Sequence, residues 1–170
     1  MFWSIGMWFF TIGVLLEIVF AAGIYSEALI AIYLFTAVLV VESLALGSMQ
    51  LIKSAVLKRS YYIYSIAATA LLAYSLYTSN IGNVILHHIV FGLLPTFIVI
   101  ASSIITFPAA IILIAIAAMS YMHKHSMKML SIIAGVLVVS VAGTLYIAAF
   151  PAFLYYSEFI GILLLWAGFI

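Results

Sequence analysis

The stretch FWSIGMWFFTIGVLLEIVFAAGIY, residues 2–25, decides the fold of this chain. It contains one charged residue, Glu17, and it is longer than the roughly 20 residues that a helix needs to cross a bilayer. The stretch has no basic start and exceeds the about 7–15 apolar residues of a secretory signal. We therefore expect it to be retained as a first membrane span.

The rest of the chain has the same apolar character. Hydrophobic residues make up 69% of the 170 residues, charged residues only 5%, and the mean hydropathy is +1.45. Ordinary globular chains are about 25% charged, so lipid must cover much of this exterior. We predict an all-α integral membrane protein that crosses the cell membrane several times, with residues 1–170 forming one transmembrane helical domain.

Polar residues and prolines divide the chain into predicted spans. Region 84–122 has no charge before its end and is too long for one crossing at about 1.5 Å per residue, so a turn is expected at Ser102, Ser103 and Pro108. Seven crossings result, and six crossings with a re-entrant pair in this region are the alternative. The predicted helices are 3–24, 28–52, 61–79, 84–102, 108–122, 128–149 and 152–170.

The basic residues lie in two clusters, which bears on orientation. One cluster contains Lys53, Lys58 and Arg59, and the other contains Lys124 and Lys128. Basic loops favour the cytoplasmic side, but three predicted crossings separate the clusters. We assign the larger cluster and the N-terminus to the inside, and a six-crossing chain removes the conflict.

Composition also excludes several functions. The net charge of +1 offers no basic field for nucleic acid, and there is no phosphate-binding glycine loop, so we expect no nucleic-acid partner. The absence of cysteine removes thiol redox chemistry and thiolate metal sites. No serine lies in a Gly-x-Ser-x-Gly turn, which argues against a hydrolase. The scarcity of Asn, Gln and Asp would suit a thermophile.

Two glutamates are the best functional candidates on physical grounds. Glu17 and Glu42 fall inside the first two spans, where an ionised carboxylate is costly. Glu158 is a third intramembrane acid, and the short final segment places it either near a membrane boundary or at the midplane. Three interpretations remain open: a protonated, hydrogen-bonded residue used for helix packing, a proton relay or ion site, and contact with a basic residue of a partner subunit. The last has support because no lysine or arginine of this chain is expected at that depth.

Four histidines are candidate cofactor ligands. His87 and His88 open the fourth predicted span, and His123 and His125 close the fifth, on the same membrane face. Imidazoles gathered there could bind copper, zinc or haem iron, with His88 and His123 as the favoured pair. The alternative is that they are amphipathic residues at span ends. We expect no cofactor to be bound by this chain alone.

Small residues and tyrosines have simpler explanations. Small and hydroxyl side chains favour close helix packing within the bundle, or alternatively against another subunit. The tyrosines near span ends fit an interfacial belt. The packing candidates are Ser43, Gly47, Gln50, Ala67 to Ala70, Gly135, Ser140, Gly143 and Thr144, and the belt candidates are Tyr61, Tyr62, Tyr64, Tyr155 and Tyr156.

Two segments resemble known membrane proteins. LHHIVFGLLP, residues 86–95, resembles the histidine-then-proline span of heptahelical assembly factors that help to metallate bacterial cytochrome oxidases. SEFIG, residues 157–161, followed by Trp166, is similar to their closing helix, and the first segment is also similar to a span of oxidase subunit III. The resemblance covers about 30 residues and implies a respiratory oxidase setting. Pro95 is additionally a candidate helix break of the kind seen in transporters.

Together these features predict a small, non-catalytic membrane subunit of a multisubunit respiratory, terminal oxidase-type complex that carries electrons. Its role would be structural or supporting at the quinone side, and its partners would be other integral membrane subunits, lipid and quinone. The alternative is a stand-alone transporter or a metal-handling assembly factor. A haem-bearing subunit with axial histidines is a third hypothesis.

Overall fold

The computed structural model describes residues 2–24, 26–81, 85–86, 89–90, 94–124, 128, 130–138 and 151–169. The two short strands pair in antiparallel fashion, with Ile85 opposite Val90. Apart from them, the regular structure of these described residues is helical, which confirms the predicted helical class. The elements are α1 (Phe2–Ala21), α2 (Glu27–Met49), α3 (Ala55–Thr78), β1 (Ile85–Leu86), β2 (Ile89–Val90), α4 (Thr96–Lys124), α5 (130–138) and α6 (Pro151–Phe169).

Among the described residues, three helices are long and apolar enough to cross a membrane. They are Phe2–Ala21, Glu27–Met49 and Thr96–Met122. Helix α3 has 24 residues but begins with Lys58 and Arg59 in its first turns and is richer in hydroxyl side chains. The described residues are thus compatible with a membrane protein, and the count of seven crossings is not confirmed.

The predicted turn at Ser102, Ser103 and Pro108 is wrong. Helix α4 runs without interruption from Thr96 to Lys124 and contains Pro108 in its interior. The predicted span 84–102 is not a separate helix either, because β1 and β2 lie within it. One long helix and a strand pair therefore replace the two predicted spans.

A proline does mark a helix boundary in this region, but it is Pro95. Its carbonyl oxygen accepts the hydrogen bond of the Val99 N–H at 3.1 Å, so the first turn of α4 begins at Pro95. A residue without an N–H costs nothing at a helix start, where that donor has no intrahelical acceptor. Pro95 accordingly starts α4 instead of breaking a span.

Capping motifs end α1 and begin α2 and α3. Gly23 has a φ of 82°, and the N–H groups of Gly23 and Ile24 bond back to the carbonyls of Phe20 and Val19, which closes α1 in a Schellman motif. Ser26 then caps α2 by accepting from the Leu29 N–H. Ser54 caps α3 in the same way, by accepting from the Leu57 N–H.

The residues form two compact units, Met1–Ala109 and Ala110–Ile170, and the boundary falls inside α4. The prediction of one domain stays a prediction. In the first unit, α1 packs on α2 through glycines. A Cβ added to Gly47 would lie 1.8 Å from Cδ1 of Trp3, so the indole occupies the space that a side chain would need. The predicted packing role of Gly47 is confirmed.

In the second unit, α5 packs on α6 through small residues. A Cβ added to Gly135 would lie 2.9 Å from the Gly161 carbonyl oxygen, so the two backbones approach closely here. The Ser131 hydroxyl donates to the Leu164 carbonyl at 2.6 Å. The predicted packing role of Gly135 is confirmed, whereas Ser140, Gly143 and Thr144 lie outside the described residues.

Candidate functional site

The most unusual polar group in the described residues is the carboxyl group of Glu42, in the middle of α2. Glu42 is only 3% exposed. Its Oε1 accepts a hydrogen bond from the Ser65 hydroxyl at 2.5 Å, and its Oε2 accepts one from the Thr69 hydroxyl at 2.8 Å. Both donors belong to α3. Each carboxyl oxygen therefore has its own hydroxyl partner on the neighbouring helix.

Local sequence explains why these three side chains meet. Ser65 and Thr69 are four residues apart, so they lie one turn apart on the same face of α3. The link between α2 and α3 is short, and Ser54 starts α3 directly after it, so the two helices are neighbours. Glu42 lies about 10 Å along α2 from its last residue, Met49, at about 1.5 Å per residue. The site thus lies about two helical turns before the end of α2.

The charge of Glu42 is not balanced by a basic side chain in the described part of the chain. Both of its hydrogen bonds come from neutral hydroxyls. Lys58, near the start of α3, instead directs its Nζ to the carbonyl oxygen of Gln50 at 3.4 Å. A cation there is favourable because the end of α2 carries partial negative charge. The carboxyl group must therefore be stabilised by hydrogen bonding or by uptake of a proton.

A second connection links α3 to α4 beside this site. The Tyr64 hydroxyl donates to the carbonyl oxygen of Ile104 at 2.5 Å. That carbonyl would normally accept from the N–H of residue 108, which is a proline and has none. Tyr64 thus supplies the donor that Pro108 lacks. Proline inside an apolar helix is tolerated when a neighbouring helix satisfies the freed carbonyl in this way.

Glu17 has a simpler environment between α1 and α2. Its Oε1 accepts a hydrogen bond from the Tyr33 hydroxyl at 2.8 Å, and its side chain is only partly buried. The Tyr33 ring packs edge to face on Phe20 with ring centroids 5.7 Å apart. Glu17 therefore has one described donor and an incomplete enclosure, whereas Glu42 has two donors and is almost fully enclosed.

The structure changes the interpretation of these two glutamates. Their expected lack of counter-charge pointed to a partner subunit, but Tyr33, Ser65 and Thr69 of the same chain supply hydrogen bonds. The hydroxyl pair of α3 was missed at the level of sequence. A signal was available, because two hydroxyl residues four apart in an apolar segment mark a polar stripe on one helix face.

The other predicted site residues are described only in part. His87, His88 and His125 lie outside the described residues. His123 belongs to α4 and Glu158 to α6, but their side chains also lie outside what is described. In the described part of the chain, no group of three or more His, Asp or Glu residues could hold a metal ion. Haem or metal binding by the histidines stays a prediction.

Comparisons of the chain with protein-family models, with curated proteins and with solved structures found no match. The resemblance of residues 86–95 and 157–161 to oxidase-associated membrane proteins likewise stays a prediction.

Proposed function

We propose that this chain is a small integral membrane subunit of a multisubunit respiratory complex of the terminal-oxidase type, with a structural or quinone-side supporting role. The proposal joins the helical class with the segmental resemblance of residues 86–95. It treats the chain as a non-catalytic component whose partners are other membrane subunits and lipid. All the helices of the chain, α3 included, belong to the membrane part in this proposal.

The observation that carries the proposal is the large apolar surface that is exposed on the described helices. In α1, only Gly6 and Phe20 are buried. Trp8, Leu15 and Ile18 are 70%, 56% and 61% exposed. Such a surface is stable only against lipid or other apolar helices. Helices of neighbouring subunits are a natural cover for it.

Native purification tests the proposal directly. A tag on the chain, extraction in mild detergent, mass spectrometry and a visible spectrum of the eluate are the required steps. We expect co-elution with integral membrane subunits and a haem absorption band. A chain that elutes alone and without colour, in a detergent that keeps other respiratory complexes intact, would contradict the proposal.

The second candidate is a stand-alone transporter, and the Glu42 site favours it. A carboxyl group bonded only within its own chain needs no partner subunit to be stable. Transport by the purified chain in liposomes, lost on Glu42→Gln and kept on Glu17→Gln, would support this candidate over the subunit.

The metal-handling and haem-bearing versions have their own test. Metal analysis and an absorption spectrum of the purified chain would detect copper, zinc or haem. If either group is present, alanine at His88 and His123 should remove it, and alanine at Lys53 should not. A well-folded chain without metal and without a Soret band would eliminate both versions.

A further inference from the structure

We propose that Glu42, together with Ser65 and Thr69, forms a reversible proton-binding site between α2 and α3. The ligand is the proton, taken from water, and it adds to a carboxylate oxygen to give the neutral acid. This inference does not depend on the identity of any partner. It holds whether the chain works alone or in a complex.

When Glu42 is ionised, each of its two oxygens has a hydrogen-bond donor. Its two oxygens accept from Ser65 at 2.5 Å and from Thr69 at 2.8 Å. Both hydroxyl oxygens thus lie within hydrogen-bond distance of a carboxylate oxygen. A buried carboxylate is costly without such donors, and here neither oxygen lacks one.

When Glu42 is protonated, its carboxyl group can also make all of its hydrogen bonds. Neutral Glu42 donates its own O–H, and a hydroxyl side chain can accept it because it carries free lone pairs. Within a helix, Ser and Thr can turn their hydrogen to the carbonyl four residues earlier, which for Ser65 and Thr69 belongs to Tyr61 and Ser65. Rotation of one hydroxyl therefore accommodates the proton without moving a helix, while the other hydroxyl continues to donate to the second carboxyl oxygen.

In the described residues, no permanently charged basic group lies next to Glu42. The titratable groups that interact electrostatically with it are the phenols of Tyr61 and Tyr64 on α3. Helix α1 contributes only Glu17, which is bonded to Tyr33 at a different level of α2. The described part of α4 up to Ala109 has no titratable side chain. No permanent cation therefore holds Glu42 in its charged form.

The geometry favours a proton over an alkali cation. Each hydroxyl oxygen is already in direct hydrogen-bond contact with a carboxylate oxygen. A bound cation would have to separate these oxygens and enter between them, whereas a proton needs no additional space. The two ligands make opposite predictions about sodium, so one experiment distinguishes them.

Carbodiimide labelling of the full chain in liposomes is the test. Dicyclohexylcarbodiimide partitions into the membrane and reacts with protonated carboxyl groups, and peptide mass spectrometry identifies the labelled residue. We expect Glu42 to be labelled, with a labelling rate that falls as the pH is raised. Replacing choline by sodium at constant pH should leave the yield unchanged.

Variants test whether the labelling of Glu42 depends on the hydroxyls of Ser65 and Thr69. The double change Ser65→Ala with Thr69→Val should change the labelling of Glu42, and Ser60→Ala, at an exposed site on the same helix, should not. In infrared difference spectra, one component of the pH-dependent carboxyl band should be lost in Glu42→Gln and kept in Glu17→Gln. Should Glu42→Gln fail to fold, labelling of the unmodified chain still decides the question.

Three results would overturn the proposal. A labelling yield at Glu42 that does not change over the pH range in which the chain stays folded would mean that no proton is exchanged. Suppression of labelling by sodium at constant pH would assign the site to an alkali cation instead. A carboxyl band that titrates unchanged in a folded Glu42→Gln variant would place the proton on another residue.

Discussion

The hydroxyl oxygen of Tyr64 lies 2.5 Å from the carbonyl oxygen of Ile104, the acceptor that Pro108 leaves without an N–H donor in α4. The next residue along α3, Ser65, donates to Glu42 of α2. Two consecutive residues thus bind α3 to the helices before and after it at the same level. These two hydrogen bonds explain how α2 can carry a buried carboxyl group and how α4 can carry an internal proline.

Removing the Tyr64 hydroxyl should weaken the contact of α3 with α4. We expect Tyr64→Phe to lower the free energy of unfolding by about 0.5–1.5 kcal/mol, the net contribution of a typical intramolecular hydrogen bond. Unfolding in a denaturing detergent, followed by circular dichroism, measures the change. Tyr77→Phe is the matched control, because Tyr77 is 89% exposed on the same helix.

A double-mutant cycle tests the link with the proline. In a Pro108→Ala background the N–H of residue 108 can donate to Ile104, so the Tyr64 hydroxyl becomes less important. Tyr64→Phe should then cost less than it does in the unmodified chain. An equal cost in both backgrounds would show that Tyr64 does not compensate for the proline.

Each hydroxyl bonded to Glu42 should contribute to stability. We expect Ser65→Ala and Thr69→Val each to cost about 1 kcal/mol, since each leaves one carboxyl oxygen without its donor. The measurement is the same detergent unfolding, with Ser60→Ala as the control at an exposed site. Stabilities indistinguishable from that of the control would mean that the hydroxyls do not bond to Glu42.

The contact of Trp3 with Gly47 makes a prediction about α1 and α2. Gly47→Ala places a methyl group where the indole of Trp3 lies, so the tryptophan must move. We expect a loss of about 1–3 kcal/mol and a shift in tryptophan emission. Gly13→Ala is the control because a Cβ there meets nothing within 4 Å. Equal effects of the two changes would contradict the packing of α1 on α2.

The helical class could be predicted from composition. The bounds of the helices around residues 84–122 could not, because they depend on individual side-chain contacts. Long apolar segments predict α1 and α2 well, because backbone groups without access to water must bond within a helix. The error at residues 84–122 came from assigning a turn to Pro108. The sequence around Pro108 does not reveal that Tyr64, distant in the chain, supplies the missing donor.

Of the site around Glu42, the carboxyl group could be predicted from the sequence, and its hydrogen-bond partners could not. The cost of a charge in hydrocarbon identifies Glu42 from sequence alone. Its partners depend on the register of α2 against α3, which composition does not determine. Tyr64 was assigned to an interfacial belt, whereas in the structure its hydroxyl bonds to a backbone carbonyl. Helix contacts of this kind are visible only once the helices are placed.

Cysteine cross-linking is the most direct test of the central claim that Glu42 faces Ser65 across α2 and α3. The chain has no cysteine, so a pair can be introduced without background. We predict that a short bifunctional thiol reagent links the two cysteines of a Glu42→Cys/Ser65→Cys variant in membranes, because it spans the distance that the longer Glu42 side chain covers to reach Ser65. A Glu42→Cys/Ile66→Cys variant should not be linked, because Ile66 is 71% exposed on another face of α3. Equal cross-linking of both pairs, or cross-linking only through residue 66, would contradict the account.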